Sequence, residues 1–128
     1  MTYSKFTVIT LPLPPSVNGL YAGKVRRFKS KKYEEWIARA LDAFGTKYDN
    51  TEINPEVWLK AKYTFYMPLW YKNGNIKRRD VANYEKAASD FIGDHLTGFE
   101  DMMIKDIRLI KIDSTRNEVE CIITEMDT

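Results

Sequence analysis

Hydrophobic spacing in this chain switches repeatedly between a period of two and a period of three to four, and that switching limits the fold more than any other feature. From Val57 to Met67 every second residue is apolar (Val57, Leu59, Ala61, Tyr63, Phe65, Met67), the pattern of a strand with one face on a core, and Pro68 ends it. Phe6 to Leu13 (FTVITLPL) reads as an earlier strand, stopped at Pro14-Pro15 because proline cannot donate to a ladder and restricts the residue before it. A loop follows. From Ser30 the period lengthens: Tyr33, Trp36, Ile37, Ala40, Leu41 and Phe44 form a helical stripe, with Ser30 able to cap its start and Gly45 its end. A second helix is expected from Asp80 to Leu96, with Val81, Tyr84, Ala88, Phe91 and Ile92 as its stripe and Gly98 as its stop.

Two more strands, Ile104 to Ile112 and Val119 to Thr124, are expected to close the chain around a polar turn at Ser114 to Asn117. The first of them changes phase, since Ile107 and Leu109 are in step and then Ile110 and Ile112 are, so it is either buried on both faces or bulged. The order β-α-β-α-β-β predicts an α+β fold, a small mixed sheet carrying two helices. A chain of 128 residues with 44% hydrophobic residues can bury a core without metal or disulfide staples, so one domain over residues 1–128 is expected. Cys121 has no second cysteine to pair with, and neither a signal pattern nor a membrane-length apolar run is present. A cytoplasmic protein without membrane association is the expectation.

The net charge of +2 hides a division. Residues 1–93 hold sixteen Lys/Arg against nine Asp/Glu, whereas residues 94–128 hold four against nine. No acid precedes Glu34, and Lys24, Arg26, Arg27, Lys29, Lys31 and Lys32 place six cations in nine positions. That density suits a phosphate-contacting patch, and equally a solvated loop entering a helix.

KRRDVANYEKAASD, residues 77–90, concentrates the chemistry. At about 100° per residue, Asp80, Asn83, Lys86 and Asp90 fall within roughly 120° of one another on the flank away from the apolar stripe. Asp80 at a helix start is favoured by free N–H groups and by Arg78 and Arg79 before it. Glu100-Asp101 follows the helix, and these carboxylates converge if the next strand lies beside the helix start. Two such charges about 4 Å apart at an effective dielectric near 20 cost about 4 kcal/mol, which a divalent hard cation offsets. Mg²⁺ would polarise a phosphodiester while Lys86 neutralises developing charge. The plainer reading is a capping aspartate and a solvated flank.

Asp80, Asn83, Lys86 and Asp90 in RRDVANYEKAASD, with Glu100-Asp101 in FEDMMIKDIRLIK, resemble the RusA family of Holliday junction resolvases, small phage- and prophage-associated endonucleases. LPLPPSVNGLY, residues 11–21, is similar to the family's N-terminal signature at Pro14, Ser16 and Asn18. The resemblance implies a homodimeric endodeoxyribonuclease that binds branched DNA, uses Mg²⁺ (Mn²⁺ as substitute) and no small-molecule cofactor, and cuts two strands of a four-way junction symmetrically. It implies catalytic roles for Asp80, Lys86 and Asp101 and metal ligation by Asp80, Asp90 and Asp101, while the basic density makes Lys24, Arg26, Arg27, Lys29, Lys31, Lys32, Lys77, Arg78 and Arg79, with Asn83 of the motif, the expected DNA contacts. Ala82 stands where family members carry a second acidic residue, and Glu100 replaces the first member of an Asp-Asp pair. Either other groups complete the metal shell, or the protein binds junctions without cutting them. Trp70 and Tyr71 beside Lys72 can stack on an opened base, pack in the core, or form a dimer contact.

Overall fold

The computed structural model describes residues 5–23 and 27–126. Its larger sheet contains β1 (Phe6–Pro12), β4 (Leu59–Met67), β5 (Ile104–Asp113) and β6 (Glu118–Glu125), in the order β1-β6-β4-β5. Two helices complete the expected α+β fold, α1 (Lys31–Phe44) and α2 (Ala82–His95). The stretch expected to be a plain loop after β1 also holds a 3₁₀ turn at Val17–Gly19 and a two-stranded ribbon, β2 (Tyr21–Ala22) with β3 (Phe28–Lys29). Strands of two residues have too little alternation to register as a pattern.

The α1 boundaries follow the local chemistry. Ser30 Oγ accepts the Tyr33 N–H at 3.1 Å, and the Gly45 N–H closes on Leu41 O at 2.8 Å with φ near 51°. Tyr33, Trp36, Ala40 and Phe44 are buried, while Leu41, expected in the same stripe, is exposed. Trp36 Nε1 donates to Pro12 O at 3.0 Å, which ties the helix to the end of β1. The core side of the sheet is Ile9, Leu11, Ala61, Tyr63, Phe65, Val119, Cys121 and Ile123, all buried. Cys121 is free, and burial pushes its thiol well above the ordinary value.

β1, β6 and β4 pair antiparallel, but β4 and β5 pair parallel. Parallel neighbours need a crossover, and α2 supplies it. β5 is an edge strand, so it is not buried on both faces. One register shift lies at its start, where Lys105 is passed over between Leu59↔Ile104 and Lys60↔Asp106. The later phase change has a different cause. Ile107 and Leu109 lie in register with Ala61 and Tyr63 on the core side, whereas Ile110 and Ile112 lie beside Thr64 and Tyr66 on the other face of the sheet.

α2 starts two residues later than expected, at Ala82, with Val81 as its N-cap and no side-chain cap bond from that residue. Its middle is fastened to the sheet by a polar chain: the Tyr63 hydroxyl bonds Ser89 Oγ at 2.7 Å, and Ser89 Oγ donates to Glu85 Oε1 at 2.8 Å. Past the helix, the Ile53 N–H donates to Thr97 O at 2.8 Å and the chain turns at Gly98, whose φ is 86°. A Cβ there would lie 1.9 Å from Ile53 O. Gly98→Ala should therefore cost more than about 3 kcal/mol, through a left-handed backbone and a backbone clash together. Thermal unfolding should show a drop of about 10 °C or more, whereas Gly19→Ala, with nothing within 4 Å of its added Cβ, should melt close to the parent.

Candidate active site

The crossover decides where the acidic residues go. Asp80 follows β4, and Arg79 Nη1 lies 3.8 Å from Met67 Sδ, at the end of that strand. Asp101 precedes β5, whose first residue pairs with Leu59 at the other end of β4. α2 runs between them, fourteen residues long, about 20 Å at 1.5 Å per residue. Asp80 thus stands in the connection entering α2 and Asp101 in the connection leaving it, where Asp101 shares a concavity with Ser89 and Asp90 of the helix. Among the described residues no three acidic, histidine or cysteine side chains are gathered so as to hold a metal ion.

Asp80 is exposed at the mouth of α2, where its Oδ1 accepts the Ala82 N–H at 3.1 Å and its carbonyl accepts the Asn83 N–H at 3.0 Å. The carboxylate thus satisfies one of the helix's free donors from a turn just before the helix. Ala82 is exposed as the first helical residue. Asn83 is half-buried one residue on.

The other acids form a group at the far end of α2. Asp90, Asp94, Glu100 and Asp101 line one concavity of about 470 Å³, together with Tyr33 of α1 and Lys29 of β3. Asp90 is held by Lys86, Nζ to Oδ2 at 3.3 Å across one helical turn. Asp90 in turn raises the Lys86 pKa above the ordinary lysine value, so Lys86 is a cation throughout the neutral range. Asp94, Glu100 and Asp101 make no ion pair among the described residues. Burial, with Asp90 and Asp94 nearby, pushes the Tyr33 phenol up to about 12, which leaves it a neutral hydrogen-bonding group facing the acids. This donor set suits a hard cation that takes one or two carboxylates and keeps water or phosphate for the rest, rather than a cage of protein ligands.

The expected basic residues are divided. Lys24 and Arg26 lie outside the described residues. Arg27 and Lys29 sit over the rings of Tyr21 and Tyr33, each 5.7 Å from the centroid, and Lys31 pairs with Glu35 at 3.9 Å. Lys32 and Arg79 meet in a second concavity of about 270 Å³ beneath Pro14 and Pro15, and Arg39 joins them. Sequence reasoning missed Arg39, because it lies outside the basic run and reaches Arg79 only through the packing of α1. Lys77 and Arg78 belong to the exposed turn before Asp80. Asp94 and Tyr33 were also missed as site residues, since neither stands in a cluster along the chain.

Likeness to known proteins gives this arrangement a class. The family model described as "Endodeoxyribonuclease RusA" matches residues 12–124. The chain belongs to the RusA family of endodeoxyribonucleases, a nuclease family, which implies divalent-metal chemistry in general terms. It is 30% identical to the crossover junction endodeoxyribonucleases RusA of Escherichia coli K12 and of the O1:K1 and O6:H1 strains, over 98% of this chain and 96% of each relative.

The concavity shared by Lys32, Arg39 and Arg79 makes a definite expectation for a DNA ligand. Arg39→Ala should weaken binding to any duplex arm regardless of sequence, and should lower the slope of log affinity against log salt by about one. A titration across salt concentrations measures both; an unchanged slope would remove Arg39 from the interface.

Proposed function

We propose that this chain is a Mg²⁺-dependent, structure-selective endodeoxyribonuclease that resolves four-way DNA junctions by paired cleavage as a homodimer, with Mn²⁺ able to replace Mg²⁺. It works in the cytoplasm as one domain over residues 1–128. The reading rests on one juxtaposition: a lysine paired with Asp90 stands beside a concavity lined by three further carboxylates, in a chain of the RusA family.

Asp101 and Asp90 would hold the metal, which supplies positive charge to a phosphodiester and favours ionisation of an attacking water. Lys86 offsets the charge that gathers on the phosphoryl oxygens and the leaving 3′ oxygen as the bond breaks. Tyr33, its phenol pushed up to about 12, orients the phosphate by donating a hydrogen bond from its hydroxyl. Lys32, Arg79, Asn83 and Arg39 hold the flanking backbone.

The homodimer carries more than symmetry. Asp80 does not line the concavity that holds Asp101 of its own chain, so it acts where a two-fold axis brings Asp80 of the partner subunit to the acidic pocket. Each dimer then has two equivalent composite sites, as paired incision requires. A mixture of Asp80→Asn and Asp101→Asn chains tests this: their heterodimer retains one intact composite site and should nick a labelled junction, although each parent is inactive. If mixing restores no nicking, the two aspartates act within one chain.

Ala82 favours a second reading, a protein that binds branched DNA without cutting it, because its methyl group binds no metal. A labelled four-way junction with Mg²⁺ separates the two. Nicks lost in Asp101→Asn, by at least about a hundredfold for an electrostatic centre, support the nuclease. A shifted but uncut junction supports the binder.

A further inference from the structure

The segment joining β4 to α2 is a hydrogen-bonded hairpin that the cleavage chemistry above leaves unused. At its root the Leu69 N–H donates to Asp113 Oδ1 at 2.8 Å and the Lys77 N–H to Leu69 O at 2.7 Å. Its tip is closed by the Tyr71 N–H to Asn75 O at 2.8 Å, the Gly74 N–H to Tyr71 O at 3.0 Å and the Asn75 N–H to Asn73 Oδ1 at 3.0 Å. Gly74 takes a φ of 88° that the turn requires. Trp70 and Ile76 form the antiparallel bridge across the hairpin, which puts their side chains side by side.

The tip is closed by these hydrogen bonds, and yet it exposes large apolar groups: Trp70 at 52%, Tyr71 at 56% and Ile76 at 63%. Together with Gly74, Asn75 and Arg78 they line a concavity of about 770 Å³. A clustered apolar surface of this kind marks a contact site. Charge identifies what covers it. From Pro68 to Arg79 the chain carries Lys72, Lys77, Arg78 and Arg79 and no acid, and Lys77 Nζ stands 5.2 Å from the Tyr71 ring centroid. Protein contact cores are poor in lysine, and a second copy of this hairpin would set cations against cations. A ligand with flat apolar faces joined by negative linkages satisfies both properties, and an unpaired stretch of nucleic acid is that ligand.

We infer that residues 69–78 are a stacking platform for unpaired nucleobases, with Trp70 as the plane, Ile76 packed beside it, and Lys72, Lys77 and Arg78 taking the flanking phosphates. The inference rests on the DNA-processing reading and extends it. The hairpin runs directly into Arg79 and Asp80, so a base drawn out of a branched duplex is held close to the strand presented at the mouth of α2. Recognition of a branch point then includes opening it, which duplex-arm contacts alone do not do.

Binding of the full chain to a short fluorescein-labelled oligothymidylate, without divalent metal so that cleavage plays no part, tests the platform. Trp70→Ala should weaken that binding by about tenfold or more, Trp70→Phe should keep most of it, and affinity for a blunt duplex of equal length should change less than about twofold. On a four-way junction carrying 2-aminopurine at the crossover, the parent chain should raise the probe's fluorescence and Trp70→Ala should not. Equal oligothymidylate affinity in Trp70→Ala overturns the inference. So does an equal loss on duplex and oligothymidylate, or a shift of the Trp70→Ala chain from dimer to monomer, which would make the hairpin a protein contact. If the parent chain never cuts junctions while the Trp70 dependence holds, the nuclease reading falls and the platform stands.

Discussion

The parallel pairing of β4 with β5 governs the rest of the molecule. Two parallel neighbours cannot be joined by a turn, so the chain must travel back along the whole sheet before β5 begins, and α2 makes that journey. The connection that leads into α2 stands at one end of the sheet and the connection that leaves it at the other. Asp80 and the turn that precedes it belong to the first end; Glu100 and Asp101 belong to the second. Gly98 completes the return by letting the backbone press against Ile53, with no room for a side chain between them.

The helix also assigns opposite electrostatic characters to its ends. Asp80 accepts a backbone N–H at the positive end of the dipole, where a carboxylate is stabilised without help. Asp90 and Asp94 stand toward the negative end, where a carboxylate is disfavoured, and Glu100 and Asp101 add their charges to the same concavity. Lys86 pairs with Asp90 and bears on Asp101 as well. That end of the molecule thus gathers acidic groups in one concavity, a surface of the kind that hard cations screen.

What could be read in the sequence was whatever is decided within a few residues. Ser30 and Gly45 bound α1 because capping and positive φ are local, and the alternation from Leu59 to Met67 marks β4 because each side chain there faces a single side of the sheet. The order of large elements, and hence the α+β class, follows from those signals. β5 was ambiguous because the identity of its neighbour is a long-range fact: as an edge strand it presents Ile110 and Ile112 on a face that packs no helix, and no pattern within the strand announces an edge. The site was legible as residues but not as an arrangement. Asp80, Lys86 and Asp101 stand out through their likeness to RusA proteins, whereas the separation of the first from the third depends on the path of α2. Arg39 and Asp94 were invisible for the same reason, each meeting its neighbours only after the helices pack.

Cys121 lies in β6 against the core, fully enclosed, with its thiol shifted well above the range in which it ionises near neutral pH. A maleimide or nitroxide reagent therefore finds no native attachment point on the folded chain. Any cysteine installed on the surface becomes a unique chemical handle, and distances between two such labels on one chain can be measured without first stripping the natural thiol from the core.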